Sequence, residues 1–451
     1  MGRIGVTALF LLVMGSLPVG RAQGPDKALT MEEAVTLALS RNPEMLVALA
    51  EQEELKGKIK EVRSGAFPQA TFQGSGLRMR DPSILNSSSF DKVPKDFKDA
   101  LVPTASNMFD MELDVKQPVY SAGKVSTALK LAKESLGEKA AISESVRQQL
   151  AFKVFQAFKN LFLMQANLEV VQETRQQRIK HLEQAKIRFN SGVATEIDVL
   201  RSEVNVANME PDVIRAVNSV RLARAAINDL IMEDLDAPTK VAGSLEYRPW
   251  DPGSIDDIQK RTLEQRPELQ AARSEVQQAR FTTSLANAEN KLTVDMEGQY
   301  GYAVRQLQNM FNPDYSRWNV TFSFKLPLLD SGRKAGLVMQ AQAQLRAAEQ
   351  RLARLENECR LEVKQAYDSM QSSAKAIEAA QLSVRQAEKV LTLMQANYQY
   401  GAATTLDVTD SQTALSEARN SQISATYQYE MAKARLRLAS GSPILDKEVD
   451  R

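Results

Sequence analysis

The sequence predicts a mostly α-helical protein with a small β part, in which long antiparallel coiled-coil helices alternate with four short strands. Three observations carry this. Gly123 to Gly192 and Gly332 to Gly401 each span 69 residues without a proline. Four shorter stretches alternate apolar and polar side chains with period two. The main landmarks occur twice in the same order, as an internal duplication would leave them.

Composition narrows the functional classes. The chain of 451 residues holds 57 Lys plus Arg against 56 Asp plus Glu, so it lacks the basic surplus of a nucleic-acid binder. It has one His (His181) and one Cys (Cys359), too few for a His/Cys zinc site, and nothing around His181 reads as a catalytic relay. No Gly-rich phosphate loop occurs. Neither an enzyme nor a cofactor is expected. Residues 1–22 read as a secretory signal: a basic start at Met1 to Arg3, an apolar run from Ala8 to Met14, and small residues at Gly20 and Ala22. Nothing later reaches the roughly 18 apolar residues of a membrane-spanning helix. No Cys follows the signal to take a lipid, so the exported chain is expected to carry neither kind of anchor.

The elements come in order, and in pairs. Thr30-Met31-Glu32-Glu33 and Ser254-Ile255-Asp256-Asp257 both fit the capping box that starts a helix. Asn42-Pro43-Glu44 and Arg266-Pro267-Glu268 follow, with proline suited to a first helical turn. Both pairs are offset by 224 residues. Lys116-Gln117-Pro118 through Gly123-Lys124 and Lys325-Leu326-Pro327 through Gly332-Arg333 share the pattern K-x-P-x-x-x-x-G-basic, now offset by 209. The 15-residue difference falls between the two strands of each half. The tips, Gly192-Val193-Ala194-Thr195 and Gly401-Ala402-Ala403-Thr404, keep the offset of 209. The duplication divides the chain into a first repeat over 23–231, an inter-repeat segment over 232–253, a second repeat over 254–439 and a tail over 440–451.

Within the long stretches, strong helix formers dominate. Leu345, Leu352, Cys359 and Ala366 recur every seven residues, with Ala348 and Leu355 in the alternate seam positions, a coiled-coil pattern. At 1.5 Å per residue each such helix is on the order of 100 Å long. Partner helices return from Glu196 to about Ile231 and from Leu406 to about Ala439.

The clearest strand is Trp318 to Leu326, with Trp318, Val320, Phe322 and Phe324 alternating against polar residues. Phe109, Met111, Leu113 and Val115 alternate with Asp110, Glu112, Asp114 and Lys116. Leu292 to Glu297 makes a third run, and Ala70 to Met79 a weaker, glycine-containing fourth. Such a pattern suits either a half-buried soluble sheet or a membrane barrel. Run lengths of about 9–11 residues match a tilted membrane strand. Tyr300, Tyr302, Tyr315, Phe109 and Trp318 gather at the loop end, as an interfacial girdle would. Four strands cannot close a barrel, and lipid forbids open edges, so the barrel must be shared between copies. Two copies give eight strands and three give twelve; a lumen lined by Asp110, Glu112, Asp114 and Lys116 has to hold water, which favours twelve.

This order of helix, strand pair and long helix pair, twice over, resembles the TolC-like outer-membrane efflux proteins across essentially the whole mature chain. The K-x-P corners and the second-tip motif Tyr398-x-x-Gly401-x-x-x-x-x-Asp407-x-x-Asp410 carry the resemblance. It implies a homotrimer with a twelve-strand barrel in outer-membrane lipid and a helical tube across the periplasm of a Gram-negative bacterium. It implies that the tube docks a periplasmic adaptor and an inner-membrane pump, and opens by untwisting its inner helices. The lipid-bearing N-terminal Cys of many relatives has no counterpart here. The runners-up, a periplasmic coiled-coil adaptor and a structural filament, do not account for two hairpins alternating with strand pairs.

Candidate site residues follow at the tips. Thr195-x-x-Asp198 and Thr404-x-x-Asp407 fit capping boxes, so capping is the plain reading of both aspartates. Asp410 lies one turn beyond Asp407 on the same face, where capping no longer explains it. By the resemblance, Asp407 and Asp410 ring the periplasmic constriction. Small residues at Gly192, Val193, Ala194 and Thr195, and at Gly401, Ala402, Ala403 and Thr404, are expected to leave grooves for adaptor hairpins, although tight turns alone would ask for them. His181 reads as a solvated helix side chain and Cys359 as a packed seam residue. Asn86-Ser87-Ser88 is a sequon match in an expected outer loop over 81–106; a shorter outer loop is expected over 303–316. The segments 235–252 and 440–451 are expected to form a belt midway along the tube.

Overall fold

The computed structural model describes residues 28–79, 94, 96–97 and 106–445. The expected signal at 1–22, the sequon at Asn86, most of the loop over 81–106 and the tail beyond 445 lie outside the described residues. The first half runs α1 (Met31–Arg41), α2 (Pro43–Ser64), β1 (Gln69–Met79), β2 (Ser106–Tyr120), α3 (Lys124–Asn190), α4 (Glu196–Ala207) and α5 (Met209–Leu230). The second runs α6 (Ile255–Gln265), α7 (Pro267–Asn287), β3 (Thr293–Val304), β4 (Ser316–Lys325), α8 (Arg333–Gln399) and α9 (Thr405–Ala439).

The long helices α3 and α8 have 67 residues each, about 100 Å of rise. In α8 the buried side chains Val363, Met370, Ile377, Val384, Leu391 and Tyr398 recur every seven residues and pack against Leu415, Ala418, Ala425, Tyr429, Ala432 and Leu436 of α9 or close beside them. That is the coiled-coil seam, and Cys359 and Ala366 sit beside its upper end as expected. Leu345, Leu352 and Leu355 are only half-buried; Ala341 and Ala348 fill the close contacts there. The widest part of the core lies at mid-length. There Leu150, Val154, Phe158 and Leu161 of α3 meet Ala34 and Ala38 of α1, Met45 of α2 and Ile227 of α5. The inter-repeat segment wraps this level: Leu29 bridges to Val241, and the Tyr429 hydroxyl accepts the Trp250 N–H at 2.9 Å.

Two local expectations fail for identifiable reasons. The return helix of the first half is broken at Asn208, between α4 and α5, whereas α9 is continuous. Pro211 lacks the N–H that would bond the Ala207 carbonyl, and its ring crowds that turn. Ser254 is the N-cap of α6, but its side chain makes no cap bond, unlike Thr30, which forms the full box with Glu33.

All four strands form one antiparallel sheet in the order β1-β2-β3-β4, so β2 and β3 join the two halves. The registers place Phe72, Leu113, Tyr300 and Trp318 in one row across the sheet, and Gln73, Glu112, Gly301 and Arg317 in the next. One face is therefore apolar. The other carries a cross-strand polar net: Arg317 donates to Glu112 at 3.0 Å and pairs with Asp110, and Asn319 donates to Gln299 at 2.9 Å. Among the described residues the outer edges of β1 and β4 are unpaired, and Trp318 and Phe324 remain more than 70% exposed.

Each strand pair turns into its long helix through the K-x-P corner. Ala122 and Gly123 take φ of 51° and 79°, and Ser331 and Gly332 take 52° and 90°, so both corners make the same left-handed step. Glu289 ties the two together, pairing with Lys124 at 3.1 Å and with Arg333. Gly301 is a second steric requirement. A Cβ there would lie 2.2 Å from the Met111 carbonyl oxygen, inside the β2–β3 ladder. Gly301→Ala is expected to cost about 1–3 kcal/mol and to cut the yield of heat-modifiable, membrane-inserted protein. Gly298→Ala, whose Cβ meets nothing within 4 Å, serves as the control. Equal yields for the two variants would refute the steric reading.

Candidate functional site

The hairpin ends farthest from the sheet are built alike. Each long helix closes with a left-handed glycine, Gly192 at φ 79° and Gly401 at φ 78°. Val193 N–H bonds Arg188 O at 3.0 Å and Ala402 N–H bonds Asn397 O at 2.8 Å, the six-to-one bond of a Schellman cap. The return helices then start on reciprocal boxes. Asp198 Oδ2 accepts from Thr195 N–H at 3.1 Å and Oγ1 at 2.7 Å; Asp407 Oδ2 accepts from Thr404 N–H at 2.8 Å and Oγ1 at 2.7 Å. These bonds hold both carboxyls below the ordinary Asp range. Asp407 is fully exposed, and Asp410, also exposed, has no ion-pair partner among the described residues. Gly192, Val193, Thr195, Gly401, Ala402 and Thr404 face solvent, with Ala194 and Ala403 half-buried between the helix ends.

The two tips meet at Arg188 and at Asp198, whose carboxylate also accepts from the Thr405 hydroxyl. Arg188, at the end of α3, donates to the carbonyls of Tyr398 at 2.9 Å and Gln399 at 3.1 Å in the last turn of α8, where Tyr398 O also accepts the Gly401 N–H at 3.1 Å. Its guanidinium carbon sits 4.9 Å from the centre of the Tyr398 ring. Behind this contact Arg178 donates to Asn205 O at 3.2 Å, and Asn205 to Thr409 Oγ1 at 3.4 Å. The seam between hairpins is therefore polar near the tips, whereas the seam within the α8–α9 hairpin is aliphatic.

Comparison with known proteins fits this geometry. The outer membrane efflux protein family profile matches residues 34–231 and 259–442, most of both repeats. The chain belongs to the outer membrane efflux protein family. This efflux protein is 23% identical over 433 residues to outer membrane protein TolC of Vibrio cholerae serotype O1, covering 95% of this chain and 94% of that protein. It is 23% identical over 428 residues to the alkaline protease secretion protein AprF of Pseudomonas aeruginosa, covering 93% and 85%. Its fold matches the crystal structure of the outer membrane protein VceC of Vibrio cholerae at a TM-score of 0.78, with 20% identity and coverage of 92% and 97%. It is thus an outer-membrane efflux channel, as its long paired helices and four-strand sheet lead one to expect.

The efflux protein's structure corrects one sequence reading. His181 is not solvated: it is 5% exposed, its ring 4.9 Å from that of Tyr398, on the face of α3 that looks at the second hairpin. The signal was present as a heptad spacing, since Thr174, His181 and Arg188 recur every seven residues along one stripe. It was hidden because that stripe is polar, and a polar stripe normally reads as the solvent face.

Proposed function

We propose that three copies of this chain close a twelve-strand barrel through their β1 and β4 edges and stack their hairpins into a tube across the periplasm. The supporting observation is the sheet itself. It has one apolar face, one hydrogen-bonded polar face and two unpaired edges, a combination that lipid excludes unless neighbouring copies complete it. In this assembly the polar face lines water and the apolar face meets lipid.

The tube acts as a passive duct and carries out no chemistry of its own. Asp407 and Asp410 from three copies form its acidic constriction. The small-residue tips, Gly192 to Thr195 and Gly401 to Thr404, receive the hairpins of a periplasmic adaptor coupled to an inner-membrane pump. Cross-linking of the protein from outer membranes should give a trimer mass; a monomer or dimer would overturn the assembly. Ala194→Trp and Ala403→Trp fill the space between helix ends, and adaptor capture by these trimers is expected to fall at least tenfold. Capture at the unmodified level would show that the tips need small residues only to turn.

A further inference from the structure

The tip half of the seam between hairpins is built from groups that leave bonding capacity unused. Four buried atoms there have no hydrogen-bond partner among the described residues: His181 Nε2, Arg178 Nε and Arg188 Nε on α3, and Gln412 Oε1 on α9. Unmet buried polar groups cost stability, so this seam is a weak one by construction. His181 lies at its centre. Its ring packs on Tyr398, whose other contacts are the Arg188 guanidinium at 4.9 Å and the Thr405 hydroxyl at 3.4 Å.

We infer that His181 is an acid-sensitive latch: neutral, it helps hold the second hairpin against the first through Tyr398, and taking a proton from the periplasm loosens that contact and favours the open tip. This rests on the reading of the tips as the gate.

The surroundings set the sign. From α3 itself, Arg178 and Arg188 lie one turn before and two turns after His181, while Lys180 and Glu183 are exposed. α4 contributes Asp198, already committed to capping Thr195, and α8 contributes the Tyr398 phenol. α9 presents neutral groups to this stretch, namely Thr405, Thr409, Gln412 and Thr413. Burial therefore disfavours the imidazolium, and the nearby Asp198 offsets this only in part, so the ring's pKa is lowered from 6.5. Parting the hairpins returns the ring to water, where it titrates normally. The open state then binds more protons than the closed one, and opening gains as pH falls below about 6.5.

Single-channel recordings of the full chain between pH 7.5 and 5.5 test this, alongside amide hydrogen exchange of the tips corrected for intrinsic rates. The open probability and tip exchange of the unaltered protein should rise on acidification, by up to about tenfold for each His181 that titrates. His181→Gln, checked to remain a trimer, should show neither rise. Asp407→Asn/Asp410→Asn should raise conductance at every pH and keep the acid response. A His181→Gln variant that still responds, or no response in the unaltered protein, overturns the latch. Unchanged conductance in the aspartate variant, with tip exchange still following pH through His181, would remove the constriction and leave the latch standing.

Discussion

Replacing Asp407 and Asp410 together by Ala is expected to raise single-channel conductance and to weaken block by trivalent cations roughly tenfold or more. The argument starts from what each carboxylate does within one chain. Asp407 is spoken for: it accepts two bonds from Thr404 and begins α9. Asp410 has no such duty, and it stands exposed one turn further on the same helix. Two carboxylates on one face repel, and a fold gains nothing from that repulsion unless a ligand relieves it. In the proposed trimer, three copies around a narrow axis would concentrate that field on whatever passes, favouring cations and holding multivalent ones longest.

The confounding effect is capping. Losing an N-cap box costs about 0.5–2 kcal/mol of local helix stability, which could loosen the tip without any change of charge. Thr404→Ala separates the two, since it removes the capping hydroxyl and keeps both carboxylates. If Thr404→Ala alone reproduces the conductance and block of the double aspartate variant, the ring is only a cap. If it leaves trivalent block intact, the charge is what the ion meets.

The sequence made the large-scale order legible because each landmark is a local necessity repeated. A left-handed glycine ends α3 and another ends α8, the same K-x-P corner turns strands into helices twice, and alternation marks the strand faces. What stayed hidden depends on contacts between the halves. Strand order is one case, since nothing in the alternation says that β2 pairs with β3. Arg188 reaching across to the end of α8, and His181 on Tyr398, are others. Pairings separated by more than 170 residues leave no periodic trace in either partner. The break at Pro211 was legible in principle, because proline in a helix interior has a known local effect.

The second large effect is expected at mid-length, where Lys159 of α3 and Glu430 of α9 pair at 3.4 Å with side chains only 12% and 8% exposed. Glu430→Ala is expected to destabilise the protein by about 3–5 kcal/mol, read as the denaturant midpoint of the helical signal in detergent. The pair itself need not add much: desolvating two charges costs several kcal/mol, and 3.4 Å is a loose contact for recovering it. Breaking it is a different matter, because the survivor is then a largely buried ammonium that keeps only the Phe155 ring at 5.5 Å and the more distant charge of Glu246 to offset its desolvation. Lys159→Met with Glu430→Leu should therefore regain most of the loss, giving a coupling of roughly 2 kcal/mol or more. A single variant costing under about 1 kcal/mol, or strict additivity, would refute this. The placement matters for the duct. Glu430 lies 25 residues, about 38 Å, along α9 from Thr405 at the tip. The hairpins are thus joined firmly at the belt, where breaking a contact is costly, and weakly at the tip, where polar groups are left unmet. In the proposed duct, a helix fixed at mid-length and loosely held at its tip would turn a small change in the tip seam into lateral motion of the proposed constriction, with the mid-length core as its pivot.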